Sequence, residues 1–211
     1  KVIHVDVAPA EIGKRVRVDL PIVGDVRSVL SQLIPLVEPA EGPAWVSQAE
    51  LTSAESELRE LPISGTPELT PQYVIRTISE VTHGQAIMVT DVGQNQMWEA
   101  QYYTHNLPSG LITSGGLGAM GFALPAALGV AAGRSETPVW VVAGDGGFQM
   151  TMQELATVVQ ERLPIRIAVL NNATLGMVRQ WQELFYDRNY AVTPINGPDF
   201  AKIAEAYGIP S

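Results

Sequence analysis

With 211 residues, 46% of them hydrophobic, the chain holds enough apolar material for a packed core, which argues against wholesale disorder. A formal charge of −9 argues against a nucleic-acid footprint, which would need a basic face, and the lack of cysteine excludes disulfides, a thiolate nucleophile and zinc–sulfur sites. No apolar run reaches membrane-spanning length and no signal-peptide pattern opens the chain, so neither nucleic acid nor membrane is expected as a partner, and a reducing cytoplasm is the expected location.

The chain opens at Lys1 inside a strand pattern and without Met, so it is expected to be a piece of a longer protein. Val2 to Val7 alternates like a strand, Ala8 to Gly13 reads as a turn or short helix, and Leu20 to Asp25 reads as a second strand ending in a turn. Asp25 is placed to cap a helix from Val26 to Val37, with Val26, Leu30, Leu33 and Ile34 on one face. Glu38 to Pro43 reads as a linker, Trp45 to Leu61 as polar but helix-permissive, and Pro62 to Pro71, with its prolines, as a domain boundary. Thr70-Pro71 then forms an N-cap with proline at the first helical position. The helix is expected to run to about Val81 and bury Val74, Ile75 and Ile78.

Ala86 to Thr90 is a continuous apolar strand, and Asp91-Val92-Gly93-Gln94-Asn95-Gln96-Met97-Trp98 leaves its carboxyl end. Gly116, Gly118 and Gly121 spell G-x-G-x-x-G, but only Leu111-Ile112-Thr113 precedes them, and the next strand ends in another turn; a dinucleotide site is therefore disfavoured. Pro125 falls in the first turn of the apolar helix that follows, where it costs little.

Val139 to Val142 and Ile165 to Leu170 are β-branched runs suited to buried parallel strands. Between them Met152, Leu155, Ala156 and Val159 form a helical stripe, so strand, turn, helix and strand make a right-handed crossover. That arrangement places Asp145 and Asn172 at the carboxyl ends of two parallel strands, where open α/β sheets bind ligands. A carboxylate and an amide oxygen suit magnesium, which shares its shell with water and phosphate. Gly146 and Gly147 leave N–H groups open to an anion at a helix start. Either motif alone is also met as a tight turn or a polar strand end; their register on one crossover favours the ligand.

GDG, then NN with 27 positions from Asp145 to Asn172, resembles the thiamine-diphosphate motif. GDGGFQMTMQELATVVQ and NNATLGMVRQWQELFY resemble the catalytic subunits of the acetolactate synthase (acetohydroxyacid synthase) family in particular. The resemblance implies an α/β fold, a doubly wound, mostly parallel sheet, preceded by a remnant of a second α/β domain. Residues 1–40 would be the end of the FAD-holding middle domain, 41–69 a linker, and 70–211 the thiamine-diphosphate domain, truncated at its C-terminus.

The resemblance also implies roles. Gln94 and Asn95 would close on the diphosphate, Asn95 standing where the family has His and keeping a weaker donor. Gly118 would let the backbone approach the cofactor, with Met120 under the bend between its rings. Asp145, Asn172 and the main-chain oxygen of Thr174 would hold Mg2+, a role that leaves the Thr174 side chain unimportant. Gly146, Gly147, Gly176 and Met177 would complete the cofactor site. Trp181 would shape the pocket for the second keto acid, with Tyr186 and Arg188 bordering substrate. Asp6 and Asp25 match acids near the FAD adenosine, while Ala8 stands where a second acid is frequent, so FAD is expected in the full-length protein and not in this stretch.

The implied reaction decarboxylates pyruvate and condenses the product with pyruvate or 2-ketobutyrate, in branched-chain amino-acid biosynthesis. The family's activating Glu lies on the N-terminal domain of a partner subunit. No catalytic residue is therefore assigned here, neither Glu154 nor Glu183 takes that role, and the piece alone is expected to be inactive. A homodimer or tetramer and a regulatory small subunit are the implied partners. Two alternatives stay open: a sibling such as a glyoxylate carboligase or keto-acid decarboxylase, and a non-catalytic binding module on the same sheet.

Overall fold

A computed structural model describes residues 1–38 and 69–211. The chain divides into two units, one carrying residues 1–38 and the other 69–211. The expected linker over 41–69 falls, apart from Leu69, outside the described residues, and so does most of the proline-rich boundary.

In the first unit β1 (Ile3–Asp6) and β2 (Leu20–Val23) pair in parallel, Ile3 opposite Leu20, with a 3-10 turn at Pro9–Glu11 between them. Asp25 caps α1 (Val26–Leu33) by accepting from Ser28 N at 2.9 Å. The helix stops short of the expected Val37 and tightens into a 3-10 turn, Ile34–Leu36, where Pro35 offers no N–H. Val26, Leu30, Leu33 and Ile34 on its apolar face are all exposed.

The second unit is built on four parallel strands in the order β4-β3-β5-β6: β3 (Ile87–Thr90), β4 (Leu111–Thr113), β5 (Val139–Gly144) and β6 (Ile165–Leu170). Alternate residues of the central strands point to opposite faces. Ile87, Val89, Val139, Val141 and Ala143 pack against α4 (Ala123–Gly133), α5 (Asp145–Thr151) and α6 (Leu155–Gln160). Met88 and Val142 meet α2 (Pro71–Thr82) and α3 (Gln94–Tyr102) on the other side. The sheet is thus covered on both faces, as a doubly wound fold requires. Each fully buried aliphatic side chain, Leu124 and Leu155 among them, contributes about 1.5–3 kcal/mol.

Thr70 caps α2 through Tyr73 N at 3.2 Å, with Pro71 at the first position, and Ile75 and Ile78 are buried as expected. Two features differ from the sequence pattern. The segment after Gly93 is a helix, α3, whose buried residues include Asn95 and Glu99, so no apolar stripe announces it. The crossover helix is broken by a 3-10 turn at Met152–Glu154, which changes the phase of the stripe: Leu155 and Val158 are buried, while Ala156 and Val159 are exposed.

Candidate functional site

From β3 the chain passes through α3 to β4, then returns through α4 to β5 on the far side of β3. The connections leaving β3 and β5 therefore diverge onto opposite faces, and a crevice opens between the carboxyl ends of these neighbouring strands. A cavity of about 260 Å³ lies there. Gln94, Asn95, Gly118, Met120, Asp145, Gly146, Gly147, Asn172, Thr174, Gly176 and Met177, to which the family resemblance gave cofactor or metal roles, all line it. Trp98, Leu175 and Val178 complete its apolar walls.

Two aspartates follow the two central strands. Asp91, 1% exposed, accepts from Val92 N (2.9 Å) and Gly121 N (3.0 Å) through Oδ1, and from Ala123 N (3.0 Å) through Oδ2. It is a structural clasp joining β3 to the glycine loop. Gly147 lies so close to this carboxylate that a Cβ would collide with it, so the missing side chain there makes room for Asp91. The same clasp answers the G-x-G-x-x-G question. The loop does join β4 to α4, but the amides that would meet a phosphate at the helix start are bonded to Asp91.

Asp145 is the opposite case. It is 2% exposed, and its Oδ2 is buried without a hydrogen-bond partner. Burial raises its pKa above the ordinary carboxylate value, opposed by neighbouring backbone N–H groups, Gly146 first among them. A carboxylate oxygen left in this state is costly unless a cation meets it. At the end of β6, Asn172 Oδ1 accepts from Thr174 N at 3.2 Å, which curls the chain into a turn beside Asp145. Carboxylate, amide oxygen and main-chain carbonyl are hard oxygen donors of the kind Mg2+ takes. Among the described residues no group of three His, Cys, Asp or Glu side chains could hold a metal, and Asp145 is the one such side chain at this place in the cavity wall. At Gly146 an added Cβ would meet Leu175 Cδ2 at 3.0 Å, Ile195 Cδ1 at 3.3 Å and Met120 Cε at 3.6 Å, so the backbone lies close under these side chains. The residues fit a magnesium-bridged diphosphate.

Other expected contacts are arranged differently. Asn95 is buried, and its Nδ2 donates to Asp91 O (2.9 Å) and Val142 O (3.1 Å). Both amide hydrogens brace β3 to β5, so in this geometry the Asn95 side-chain amide is not turned to a diphosphate. Gln94 Nε2 donates to Gln180 Oε1 at 3.0 Å, while its amide packs against Gly176. Trp181 lies outside the cavity wall on α7 (Gly176–Phe185), half exposed and edge-on to Phe185. Tyr186 and Arg188 are exposed beyond the helix end. In the first unit Asp6 Oδ1 accepts from Ala8 N at 2.7 Å and Asp25 serves as the cap of α1, so both acids are engaged locally. The sequence pattern did not single out Asp91, Gln180 or Thr193. Asp91 had a signal, an acid ending an apolar strand before glycine, but its partners lie 30 and 32 residues away.

Two family models match the chain: "Thiamine pyrophosphate enzyme, C-terminal TPP binding domain" over residues 91–211, and the central domain of the same enzymes over residues 1–33. Among curated relatives, an acetolactate synthase of Mycobacterium leprae is 46% identical, the alignment covering 99% of this chain and 35% of that protein. An acetolactate synthase large subunit of Lactococcus lactis is 44% identical (99% and 36%), and a chloroplastic acetolactate synthase of Nicotiana tabacum 41% (100% and 34%). The chain spans about a third of the length of these relatives.

Proposed function

This chain belongs to the thiamine pyrophosphate (thiamine diphosphate) enzymes, and from that premise we propose that it serves acetolactate synthesis, in which pyruvate is decarboxylated and joined to pyruvate or 2-ketobutyrate. The observation that carries this reading is the buried, unpartnered Asp145 Oδ2, set beside Asn172 and Thr174 at the switch point of the sheet. The acetolactate synthases at 41–46% identity over nearly the whole chain support the choice of reaction.

In this reading the Asp145 and Asn172 side chains and the Thr174 main-chain oxygen hold Mg2+ against the diphosphate. Gly146 and Gly176 make room for the side chains packed on them, Leu175 and Met120 over the first and Gln94 and Asn172 over the second, which sets these groups at the cavity. Met120, Leu175 and Val178 form an apolar wall that keeps water from the reacting end and fixes the bound group in one orientation. When bound, thiamine diphosphate supplies the carbon nucleophile and the electron sink that decarboxylation requires. No carboxylate of this chain is assigned to its activation; that group belongs to residues outside the chain, as do the FAD contacts of the full-length protein.

Assembly as a dimer or tetramer, a regulatory subunit and a cytoplasmic location belong to the same proposal. Among the described residues no helix is long and apolar enough to cross a membrane. Calorimetric titration of thiamine diphosphate into the chain, first with Mg2+ and then with EDTA, tests the reading. Binding that requires Mg2+ is expected; a folded chain that binds equally in EDTA, or not at all, contradicts it.

A further inference from the structure

The Thr174 side chain, expected to be unimportant, is engaged. Its Oγ1 donates to Thr193 O at 3.0 Å, and the same carbonyl accepts from Leu175 N at 2.8 Å. Ile195 N donates to Ala173 O at 3.1 Å, and Thr174 and Pro194 face each other as an isolated antiparallel bridge. A short extended segment thus runs along the turn that holds Asn172 and Thr174. Thr193 is 1% exposed although Val192 beside it is 91% exposed. Beyond it, the Ile195 side chain reaches Gly146.

The other end of this segment is lashed to α7. Gln182 exchanges two bonds with Ala191, Nε2 to O at 3.0 Å and N to Oε1 at 3.1 Å, and Arg179 lies 5.1 Å over the Tyr190 ring. These ties hold backbone that L residues avoid: φ is 53° at Ala173 and 56° at Val192, the latter β-branched. Such conformations persist only where the surroundings over-determine them.

We propose that residues 190–195 form a strap that positions the metal-holding turn, with the Thr174 hydroxyl as its fastening. Thr174 is then a positioning residue for the divalent cation through its side chain as well as a donor through its main chain. The inference rests on the cofactor reading of the same cavity. Mg2+ demands near-ideal octahedral distances, so a main-chain donor must be held within tenths of an ångström. Bonds at Ala173 O, Thr174 Oγ1 and Leu175 N clamp the turn from both sides, and none of them uses the Thr174 carbonyl.

The test titrates Mg2+ into the 211-residue chain at saturating thiamine diphosphate, in wild type, Thr174→Val and Thr174→Ser. Thr174→Val keeps the shape and removes the hydroxyl; its Mg2+ affinity is expected to fall roughly three- to tenfold. Thr174→Ser restores the donor and is expected within about twofold of wild type. Should Thr174→Val fail to fold by circular dichroism, Thr174→Ala carries the same expectation. Equal Mg2+ affinity in wild type and the hydroxyl-free variant overturns the strap, and so does equal weakening in the Val and Ser variants. A wild type that takes up no Mg2+ with the cofactor overturns the cofactor reading itself, and the strap's role with it.

Discussion

The carboxyl edge of the main sheet has two halves that handle the same residue type in opposite ways. At the end of β3, Asp91 is buried and meets three backbone donors, and Asn95 gives both amide hydrogens to carbonyls, so these donors and acceptors are engaged within the fold. At the ends of β5 and β6, Asp145 is just as buried but keeps an unpartnered oxygen at a cavity wall. Burial alone therefore does not mark a site. The mark is burial with hydrogen-bonding capacity still unmet, next to space for a ligand. Glu99 sharpens the rule from a third position. It is fully buried and its oxygens lack well-formed hydrogen bonds, yet it is not among the residues that line the cavity.

The largest expected effect comes from breaking the closed half. Asp91→Ala leaves two buried N–H groups, on Gly121 and Ala123, without acceptors, and should cost about 3–5 kcal/mol in urea unfolding. A loss below about 1 kcal/mol would mean that the clasp is not what joins β3 to the glycine loop.

Next is Glu99, whose burial is answered by a proton. Desolvation pushes its pKa up to about 7, and burial lowers that of His105, whose Nε2 lies 3.0 Å from Glu99 Oε1. Below about pH 7 Glu99 therefore carries a proton, so the pair is not a simple ion pair there. The folded protein binds the Glu99 proton more tightly than the unfolded chain. That contribution is complete below the ordinary carboxyl value of 4.5 and is lost as pH rises through about 7. Glu99→Gln should gain on wild type between pH 5 and pH 8, by up to about 3 kcal/mol in denaturant melts. A pH-independent difference would contradict this assignment. The lowered His105 works the other way, removing stability as pH falls through its folded value.

A smaller effect is expected at the open half. Without ligands, Asp145→Asn should be neutral or stabilising by about 1–2 kcal/mol, because it relieves a buried oxygen that nothing meets. A destabilisation as large as that of Asp91→Ala would erase the contrast between the halves. The smallest concerns the strap: Val192→Gly removes a β-branched residue from φ 56° at an exposed position and should raise the unfolding free energy by up to about 1 kcal/mol, read as a higher thermal midpoint.

The β5–β6 crossover was legible because its signals are local. Apolar β-branched runs set the strands, and Gly-Asp-Gly and Asn-Asn mark their ends, so Asp145, Gly146, Gly147 and Asn172 could be named from the residues, while Gln94, Gly118, Met120, Thr174, Gly176 and Met177 needed the family resemblance. What the pattern hid depends on distant partners or on polar residues in apolar roles. Helix α3 has Asn95 and Glu99 among its buried residues, so its periodicity is masked. Asp91 and Thr193 acquire their parts only through bonds spanning 18 to 32 residues, as Leu175 to Thr193 and Asp91 to Ala123 show. The one apolar face of α1 was legible from its spacing, and its residues Val26, Leu30, Leu33 and Ile34 are exposed.

The most direct test of the central claim is a set of thermal melts of wild type and Asp145→Asn, each without ligand and with Mg2+ and thiamine diphosphate together. The account predicts that the unliganded variant melts at or above the wild-type temperature, while only the wild type moves upward when both ligands are added. Equal ligand-induced shifts in the two proteins would show that the Asp145 carboxylate does not hold the cation, and would contradict the account.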